Sequence, residues 1–569
     1  MPARTATTAR PRASKKTASP SRNGHPQNTP EPVAPSPHGG MGAIPVEGGV
    51  SFRVWAPHAK AMRVSGSFCD WTENGPALER ENEAGYWSVF VPGVQAGAAY
   101  KFVLDTDAGT LWRNDPYARQ MTNSVGEALV YDDAAFDWGE KEAQWQLPAW
   151  NSLVIYEVHG GTFFGKPFAS QEDDGAWTLT EQARERLDYL QRLGVTAIGL
   201  MPVAEFPGDV SWGYNPAHLF AIESAYGGPD ALKTLVREAH ARGLAVIVDV
   251  VYNHFGPSDL DLWQFDGWSE HDGGGIYFYN DHRSETPWGH TRPDYGRPEV
   301  RAYLVDNARM WLRDFHADGL RFDMTLYMRS RTANPFEEPL PDGWRTLQEI
   351  NAMVAAEFPG RITIAEDLQC NNALTTPISE GGAGFGAQWD AAFVHPVRAV
   401  LEAPTDAERS IGTLASALTH HCGPDTFARV VYAESHDETS NGRQRLYAQA
   451  LQTLGVGRGE EAQDLAASLA ALGLVLTLTA PGIPMLFQGQ ELLADGWFDD
   501  HADAERLADA TPHALPHATP RARALAGLTR DLVRLRRGEV GAGGLTGQAL
   551  SVVCADEQAK VLAYLRTHE

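Results

Sequence analysis

The sequence predicts an α/β protein, in which a (β/α)8 TIM barrel follows an N-terminal β-sandwich and precedes a short C-terminal β segment. From residue 152 onward, strand-like runs alternate with helical runs, which is the order from which such barrels are built. The run LAVIVDVV (244–251) is apolar almost throughout, as expected for a parallel strand buried on both faces. An open doubly wound sheet is the alternative, but no glycine-rich nucleotide-binding turn follows the first strand.

Eight runs are predicted as barrel strands. They are LVIYEVH (153–159), TAIGLMPV (196–203), LAVIVDVV (244–251), GLRFD (319–323), RITIAED (361–367), QWDAAFV (388–394), RVVYA (429–433) and PMLFQG (484–489). Helical patterns lie between them, for example over 229–242 and 298–316. The first of these has a proline in its first turn and Gly243 just beyond its end, the arrangement that favours a helix with these bounds.

Composition divides the chain into four parts. Residues 1–44 are rich in Pro, Ser, Thr and Ala and are predicted to be a disordered tail. Residues 45–135 contain short β-rich runs separated by Gly, Pro and Asn, which indicates a small antiparallel sandwich. The barrel is expected over 145–540, and a partial β segment over 541–569.

Charge and cysteine content restrict the classes of function. The formal net charge is -26, so we expect neither a nucleic-acid partner nor an anionic membrane surface, whereas a neutral sugar is compatible. The four cysteines are scattered and form no CxxC pair, which predicts no disulfide framework, no zinc site and a reducing, cytoplasmic location. The apolar stretch 466–480 is expected to be too short to span a bilayer and to form a buried helix.

Charged side chains end several of the predicted strands. They are Asp249, Arg321, Asp323 and Glu366, with His436 and Asp437 just after RVVYA. In a barrel, the C-terminal strand ends open onto one face, where active sites are assembled. Taken singly, each residue is better explained as a helix cap, a turn residue or a pair such as Arg321 with Asp249. Several acids at successive strand ends repel one another, and together they indicate a catalytic site.

Exchange of a glycosidic bond is the chemistry that suits these acids. A retaining mechanism uses one carboxylate as a nucleophile and a second carboxyl group to protonate the leaving oxygen. The nucleophile must stay ionised, so a neighbouring arginine helps, whereas partial burial keeps the acid protonated near neutral pH.

Four motifs resemble the conserved regions of glycoside hydrolase family 13, the α-amylase superfamily. They are DVVYNH (249–254), GLRFD (319–323), IAED (364–367) and ESHDE (434–438), in the family's order. WGYNP (212–216) is similar to the family's segment that supplies a stacking tyrosine. The resemblance covers about residues 45–500.

The resemblance implies a role for each site residue. Asp323 would be the nucleophile, Glu366 the general acid/base and Asp437 the stabiliser of the transition state. The implied substrate-binding residues are Tyr214, which stacks under the sugar, Asp249, which pairs with the arginine, Arg321, which keeps the nucleophile ionised, and His254 and His436, which bind hydroxyls. Asn253 matches a calcium ligand of some members, but no further ligand set is found, so we expect no metal and no cofactor.

Flanking segments resemble one subgroup. FRVWAPHAKAMRVSGSFCDW (52–71) is similar to the family-48 carbohydrate-binding module, and GFGAQWDAAFVHPVR (384–398) to a segment of branching enzymes. The resemblance therefore implies a 1,4-α-glucan branching enzyme acting on glycogen, amylose or maltooligosaccharide. An α-amylase-type hydrolase is the alternative, followed by a maltooligosyltrehalose trehalohydrolase, which TPWG (286–289) also resembles, and then by a non-enzymatic glucan-binding protein. The family pattern is lost in the Ala/Asp/His-rich stretch after residue 500.

Overall fold

A computed structural model describes residues 39–568 apart from 424, 441–442, 454–458, 497, 499–517 and 542. Residues 1–38 of the predicted tail, and nearly all of the Ala/Asp/His-rich stretch after residue 500, lie outside the described residues. The first strand begins at Gly42, so the predicted tail boundary at residue 44 falls inside a strand.

The N-terminal part is the expected antiparallel β module. Its strands are β1 Gly42–Val46, β2 Gly49–Trp55, β3 Ala61–Gly66, β4 Ala77–Arg80, β5 Tyr86–Pro92, β6 Ala99–Thr106, β7 Gly109–Arg113, β8 Gln120–Met121 and β9 Ala128–Leu129. They form one hydrogen-bonded path in the order β1-β2-β5-β4-β3-β6-β9-β8, with β7 paired to β6. Alternate residues such as Phe52, Val54 and Phe102 are buried, which explains the alternating pattern of these short runs.

The predicted barrel is confirmed as a closed ring of eight parallel strands. These are β10 Ile155–Val158, β13 Ala197–Leu200, β16 Ala245–Val250, β17 Gly319–Phe322, β18 Ile362–Ala365, β19 Ala387–Trp389, β20 Arg429–Val431 and β21 Ile483–Phe487. Three small two-stranded sheets lie outside the ring, formed by β11 Ala169–Gln171 with β12 Trp177–Leu179, β14 Ala204–Glu205 with β15 His218–Ile222, and β22 Ala549–Asp556 with β23 Val561–Thr567. The last of these is the C-terminal β segment.

Helices precede, connect and follow the barrel strands. Within the described residues they are Gly139–Glu142, Gly160–Phe163, Glu181–Leu193, Gly228–His240, Pro298–Arg313, Thr325–Arg329, Pro341–Glu357, Ala391–Glu402, Ile411–Thr419, Leu446–Thr453, Glu460–Thr479 and Pro520–Arg536. The two helices predicted over 229–242 and 298–316 are present, and each ends two or three residues earlier than predicted.

Two details of the sequence prediction are wrong. The predicted strand 388–394 ends at Trp389, because the Asp390 carboxylate accepts the backbone N–H of Ala392 and starts a helix there. The apolar stretch at 466–480 was predicted to be too short to span a bilayer. It belongs to the 20-residue helix Glu460–Thr479, which by length and composition alone is long and apolar enough to cross a membrane. Half of its most apolar window is buried, and the helix packs against Leu446–Thr453 and Pro520–Arg536 as part of the protein core.

The ring closes where β10 pairs with β21, and side-chain contacts between β10 and the segment after β21 add to this pairing. Tyr156 on β10 donates its hydroxyl hydrogen to the Glu491 carboxylate, at 2.9 Å from Oε1. The Tyr189 hydroxyl donates to the same oxygen, and the Gly489 backbone N–H donates to the Tyr156 oxygen at 2.9 Å. Glu491 is fully buried, so this carboxylate joins the first strand of the barrel to the last.

We expect Glu491→Leu to lower the free energy of unfolding by about 2–4 kcal/mol, because two buried tyrosine hydroxyls lose their acceptor. Glu491→Gln keeps the size and one acceptor oxygen, and we expect it to cost less than half as much. Thermal unfolding followed by circular dichroism measures both variants. Equal unfolding midpoints for the two variants would show that the hydroxyl contacts do not stabilise the closure.

Candidate active site

The barrel interior changes from apolar to charged along its axis. Side chains two apart on a strand point to the same side, so Ile155 lies below Glu157, Ile247 below Asp249, and Ile364 below Glu366. The isoleucines form one buried cluster with Met485 and other apolar residues. Glu157, Asp249 and Arg321 line the same interior space above them. The strands therefore carry their charged side chains at their C-terminal ends, on a packed apolar base.

Arg321 is the central group of this charged layer. Its Nη1 donates to Asp249 Oδ2 at 2.6 Å and to Asp323 Oδ1 at 3.2 Å. Its Nη2 lies 2.6 Å from Glu366 Oε2, and its guanidinium carbon lies 4.2 Å from the centre of the Trp389 ring. Burial lowers the pKa of Arg321, but these carboxylates raise it well above its usual value. One buried cation thus contacts three carboxylates.

Asp323 is held from both sides. Asn253 donates its side-chain N–H to Asp323 Oδ2 at 2.6 Å, while Arg321 holds Oδ1. The two donors fix the orientation of the Asp323 carboxylate. Asp323 lies one residue after the end of β17. Its backbone N–H donates to the Val250 carbonyl oxygen at 3.0 Å, which fixes its position relative to the neighbouring strand β16.

Glu366 occupies the neighbouring strand end. Its Oε2 accepts the backbone N–H of Met324 at 2.9 Å, and Met324 adopts a left-handed φ of 36° directly after Asp323. Burial raises the pKa of Glu366 to about 8, against the attraction of Arg321 and with further increases from Asp323 and Asp437. Burial thus favours the protonated form of Glu366, which is the form that can transfer a proton.

His436 connects the seventh strand of the barrel to the first. Its Nδ1 lies 2.8 Å from Glu157 Oε1, and its backbone N–H donates to Glu157 Oε2 at 3.0 Å. Its Nε2 lies 3.6 Å from Asp437 Oδ2. Burial lowers the pKa of His436, but Asp437 and Glu157 outweigh burial and raise it to about 9. The imidazole is therefore charged near neutral pH and reduces the repulsion between Glu157 and Asp437.

Aromatic rings and a second histidine complete the site. Tyr214 donates its hydroxyl hydrogen to Asp249 Oδ2 at 2.7 Å and stacks on His436 with ring centres 4.9 Å apart. His254 hydrogen-bonds to Asn253 Oδ1 at 2.6 Å through Nδ1, and burial lowers its pKa to about 4. Trp288, 42% exposed, stacks on His254 with ring centres 4.6 Å apart. The rings form a surface on which the apolar face of a sugar can pack.

The structure brings together all of the residues that the sequence proposed for the site. The side chain of Asp437 is 41% exposed, whereas those of Asp323 and Glu366 are almost fully buried. A reacting group would therefore meet Asp437 at the surface of the site and the other two acids below it. Asp249 adds negative charge to the site, and the positive charge of Arg321 offsets it. Burial raises the pKa of Asp249 to about 6.

Three residues of the site were missed by the sequence analysis. Glu157 lies in the middle of the run LVIYEVH, where an acid inside an otherwise apolar strand was the available signal. Trp389 stacks on Arg321, and Trp288 stacks on His254. Both lie in segments that resemble family members, 384–398 and 286–289, but the resemblance gave neither ring a role in the site. Asn253 was noted only as a match to a calcium ligand, and its amide here donates to Asp323 and accepts from His254.

A grouping of side chains with metal-ligand spacing is found away from this site. Among the described residues, Cys370, Asp390 and His420 have donor atoms within 4.8 Å of one another. No such group lies among the described acids of the barrel interior.

Comparison with known families gives two matches. Residues 40–118 match carbohydrate-binding module 48, the isoamylase N-terminal domain, and residues 164–264 match the catalytic domain of α-amylase. The first match covers most of the antiparallel module. The second covers the barrel from just after β10 to beyond the motif DVVYNH.

Curated relatives extend the likeness over most of the chain. A 1,4-α-glucan branching enzyme GlgB of Corynebacterium jeikeium is 35% identical over 79% of this chain and 62% of its own length. A 1,4-α-glucan branching enzyme GlgB of Bacillus cereus strain G9842 is 32% identical over 81% of this chain and 68% of its own length. This chain thus spans about three fifths to two thirds of the length of these relatives.

Solved structures share the fold. A pullulanase from Anoxybacillus sp. LM18-11, complexed with maltotetraose, matches 92% of this chain and 78% of its own, with a TM-score of 0.70 and 20% identity. A pullulanase from Bacillus acidopullulyticus matches 88% of this chain and 63% of its own, with a TM-score of 0.66 and 20% identity. Fold, module and curated relatives agree, and the chain belongs to the α-amylase family, glycoside hydrolase family 13, with a family-48 carbohydrate-binding module.

Proposed function

We propose that this protein is a 1,4-α-glucan branching enzyme that works by a retaining mechanism. It would cleave an α-1,4 link, hold the released chain as a glycosyl ester on Asp323, and transfer that chain to a sugar 6-hydroxyl. The observation that carries the retaining mechanism is the pair formed by Asp323 and Glu366 on adjacent strands, and the likeness to branching enzymes carries the choice of acceptor. One carboxylate is held by two donors, and the other carboxyl group has a pKa of about 8.

In the first half of the reaction, the Asp323 carboxylate attacks the anomeric carbon. As the bond from Asp323 to that carbon forms, the bond to the leaving 4-oxygen breaks, and Glu366 gives its proton to that oxygen. Arg321 and Asn253 hold the two oxygens of the nucleophile in place, and burial favours the protonated form of Glu366.

In the second half, Glu366 is a carboxylate and acts as a base. It accepts the proton of an incoming 6-hydroxyl, whose oxygen forms a bond to the anomeric carbon while the bond to Asp323 breaks. The net change is one α-1,4 link lost and one α-1,6 link gained, and Glu366 is protonated again.

The other residues bind and polarise the sugar. Asp437 presents negative charge toward the positive charge that develops on the ring. His254 is neutral because burial lowers its pKa to about 4. Its Nδ1 donates a hydrogen to Asn253 Oδ1, so its other ring nitrogen can accept a hydrogen bond from a hydroxyl. His436, charged because its pKa is about 9, can only donate.

One finding supports transfer to a sugar rather than to water. The curated relatives at 31–35% identity are named 1,4-α-glucan branching enzymes. The catalytic acids themselves do not distinguish the two acceptors, because water and a 6-hydroxyl would occupy the same place. The acceptor is therefore the part of the proposal that most needs an experiment.

The roles of the two buried acids can be separated with an activated substrate. We expect Asp323→Asn to lower the rate on amylose by at least about 1,000-fold and Glu366→Gln by about 100- to 10,000-fold. An α-maltosyl fluoride needs no protonation of its leaving group, so it should restore the first step in Glu366→Gln but not in Asp323→Asn. Asp173→Asn, at an exposed position, is the matched control. Restored fluoride release in Asp323→Asn would contradict the assignment of the nucleophile.

The pH dependence follows from Glu366. Because the reactive form of this residue is protonated and its pKa is about 8, we expect kcat/KM to fall as the pH rises through about 8. Stopped assays of glucan conversion over pH 5 to 10 measure this alkaline limb, and circular dichroism at each pH serves as the control for folding. A limb that stays in place in Glu366→Gln would assign it to another group.

The acceptor is identified with amylose as the substrate. Branching should reduce the iodine colour and create α-1,6 links, which a debranching enzyme then releases, with almost no increase in reducing ends. Reducing ends that rise in proportion to the loss of colour would indicate an α-amylase. Release of free trehalose from a trehalosyl-capped oligomer would indicate a trehalohydrolase instead.

A further inference from the structure

A second polar cluster lies outside the barrel interior. It consists of Cys370, Asp390, His420 and Cys422. Cys370 follows β18 by five residues, Asp390 follows β19, and His420 and Cys422 belong to the segment that precedes β20. Asp390 points away from the catalytic interior, because its neighbour Trp389 faces that interior and successive side chains of a strand point to opposite sides.

Three of the donor groups, those of Cys370, Asp390 and His420, lie close enough together to share a metal ion, and Cys422 approaches His420 from outside this group. Asp390 Oδ1 lies 3.9 Å from Cys370 Sγ, and Asp390 Oδ2 lies 3.1 Å from His420 Nδ1. Cys422 Sγ lies 3.8 Å from the same His420 nitrogen. Tetrahedral zinc with metal–sulfur bonds of about 2.3 Å and metal–nitrogen bonds of about 2.0 Å places its ligands roughly 3.3–3.8 Å apart. The donor atoms of Cys370, Asp390 and His420 already lie within 4.8 Å of one another.

The charges around the cluster balance for a divalent ion with two thiolates. Arg429 donates from Nη1 to Asp390 Oδ2 at 2.9 Å, and both side chains are fully buried. A zinc ion, two thiolates, one carboxylate and this guanidinium together carry no net charge. The arginine therefore offsets the excess negative charge of a ligand set with two thiolates and one carboxylate, in a place where an unbalanced charge would be costly.

Burial is graded across the cluster. Cys422 and Asp390 are fully buried, Cys370 is half-buried, and the His420 side chain is 28% exposed. A hydrated ion can thus approach from the side of His420, whereas the remaining ligands are shielded from water. Such a gradient is typical of a structural metal site that has one open approach.

We propose that Cys370, Asp390, His420 and Cys422 bind a zinc ion. On binding, the two thiols lose their protons to solvent, the four donors take the corners of a tetrahedron, and no oxidation or reduction takes place. The ion would join the loop after β18 to the start of the helix after β19 and to the segment before β20. Cys370 lies four residues beyond Glu366, so the ion would anchor the segment that carries the acid/base. The site stands whether or not the proposed branching activity is correct.

Cobalt binding to the full-length chain tests the proposal. Purified protein is treated with a reductant and a chelator, exchanged into buffer, and titrated with Co²⁺. We expect about one ion per chain, an intense sulfur-to-cobalt charge-transfer absorption, and displacement of that ion by Zn²⁺. Cys370→Ser and His420→Asn should each weaken Co²⁺ binding by at least about 10-fold.

Cys554→Ser, which changes an exposed thiol on the C-terminal hairpin, is the matched control and should bind cobalt like the parent. Zn²⁺ should also slow alkylation of Cys370 in the parent protein, a measurement that needs no variant. The proposal is wrong if the parent shows no charge-transfer absorption and no protection, or if Cys370→Ser binds as tightly as Cys554→Ser. A disulfide between Cys370 and Cys422, found by mass spectrometry of the untreated protein, would overturn it as well.

Discussion

The site depends on one buried guanidinium. Arg321 contacts Asp249, Asp323 and Glu366 within 3.2 Å, and without it these carboxylates would repel one another in a place from which water is largely excluded. Its planar fork reaches several oxygens at once, which a lysine could not do in the same geometry. The ring of Trp389 covers its face. The arginine thus permits the barrel to fold with a charged upper layer and leaves Glu366 able to hold a proton.

The three acids of the site differ in their burial and in their hydrogen-bond partners. Asp323 is fixed by donors on both oxygens, Glu366 is raised in pKa by burial, and Asp437 remains open to solvent. Carboxyl groups of the same chemistry are therefore held in different surroundings, and burial favours the protonated form of Glu366. His436, charged by Glu157 and Asp437, separates the exposed acid from a second buried one.

Much of the fold and of the site could be predicted from the sequence. Near-continuous apolar runs such as 244–251 predicted the buried parallel strands. Because side chains two residues apart on a strand point to the same side, the sequence also predicted that Arg321 and Asp323 lie on one side of their strand. The strand predicted over 388–394 ends at Trp389, because the Asp390 side chain caps the helix that begins at the next residue. At this point the helix cap outweighs the β propensity of the residues that follow. Glu157, Trp288 and Trp389 could not be assigned, because their partners lie far away along the chain. The cysteine-containing cluster escaped for the same reason, since its ligands come from three separate segments.

The contact between Glu157 and His436 ties the first strand of the barrel to the seventh. A partly folded chain in which the ring has opened would retain most of its helices, yet its imidazole would lose the carboxylate that keeps it charged. Activity should therefore be lost at a lower denaturant concentration than the far-ultraviolet circular dichroism signal of the helices. The contact thus couples the closed ring to the charge of an imidazole in the site.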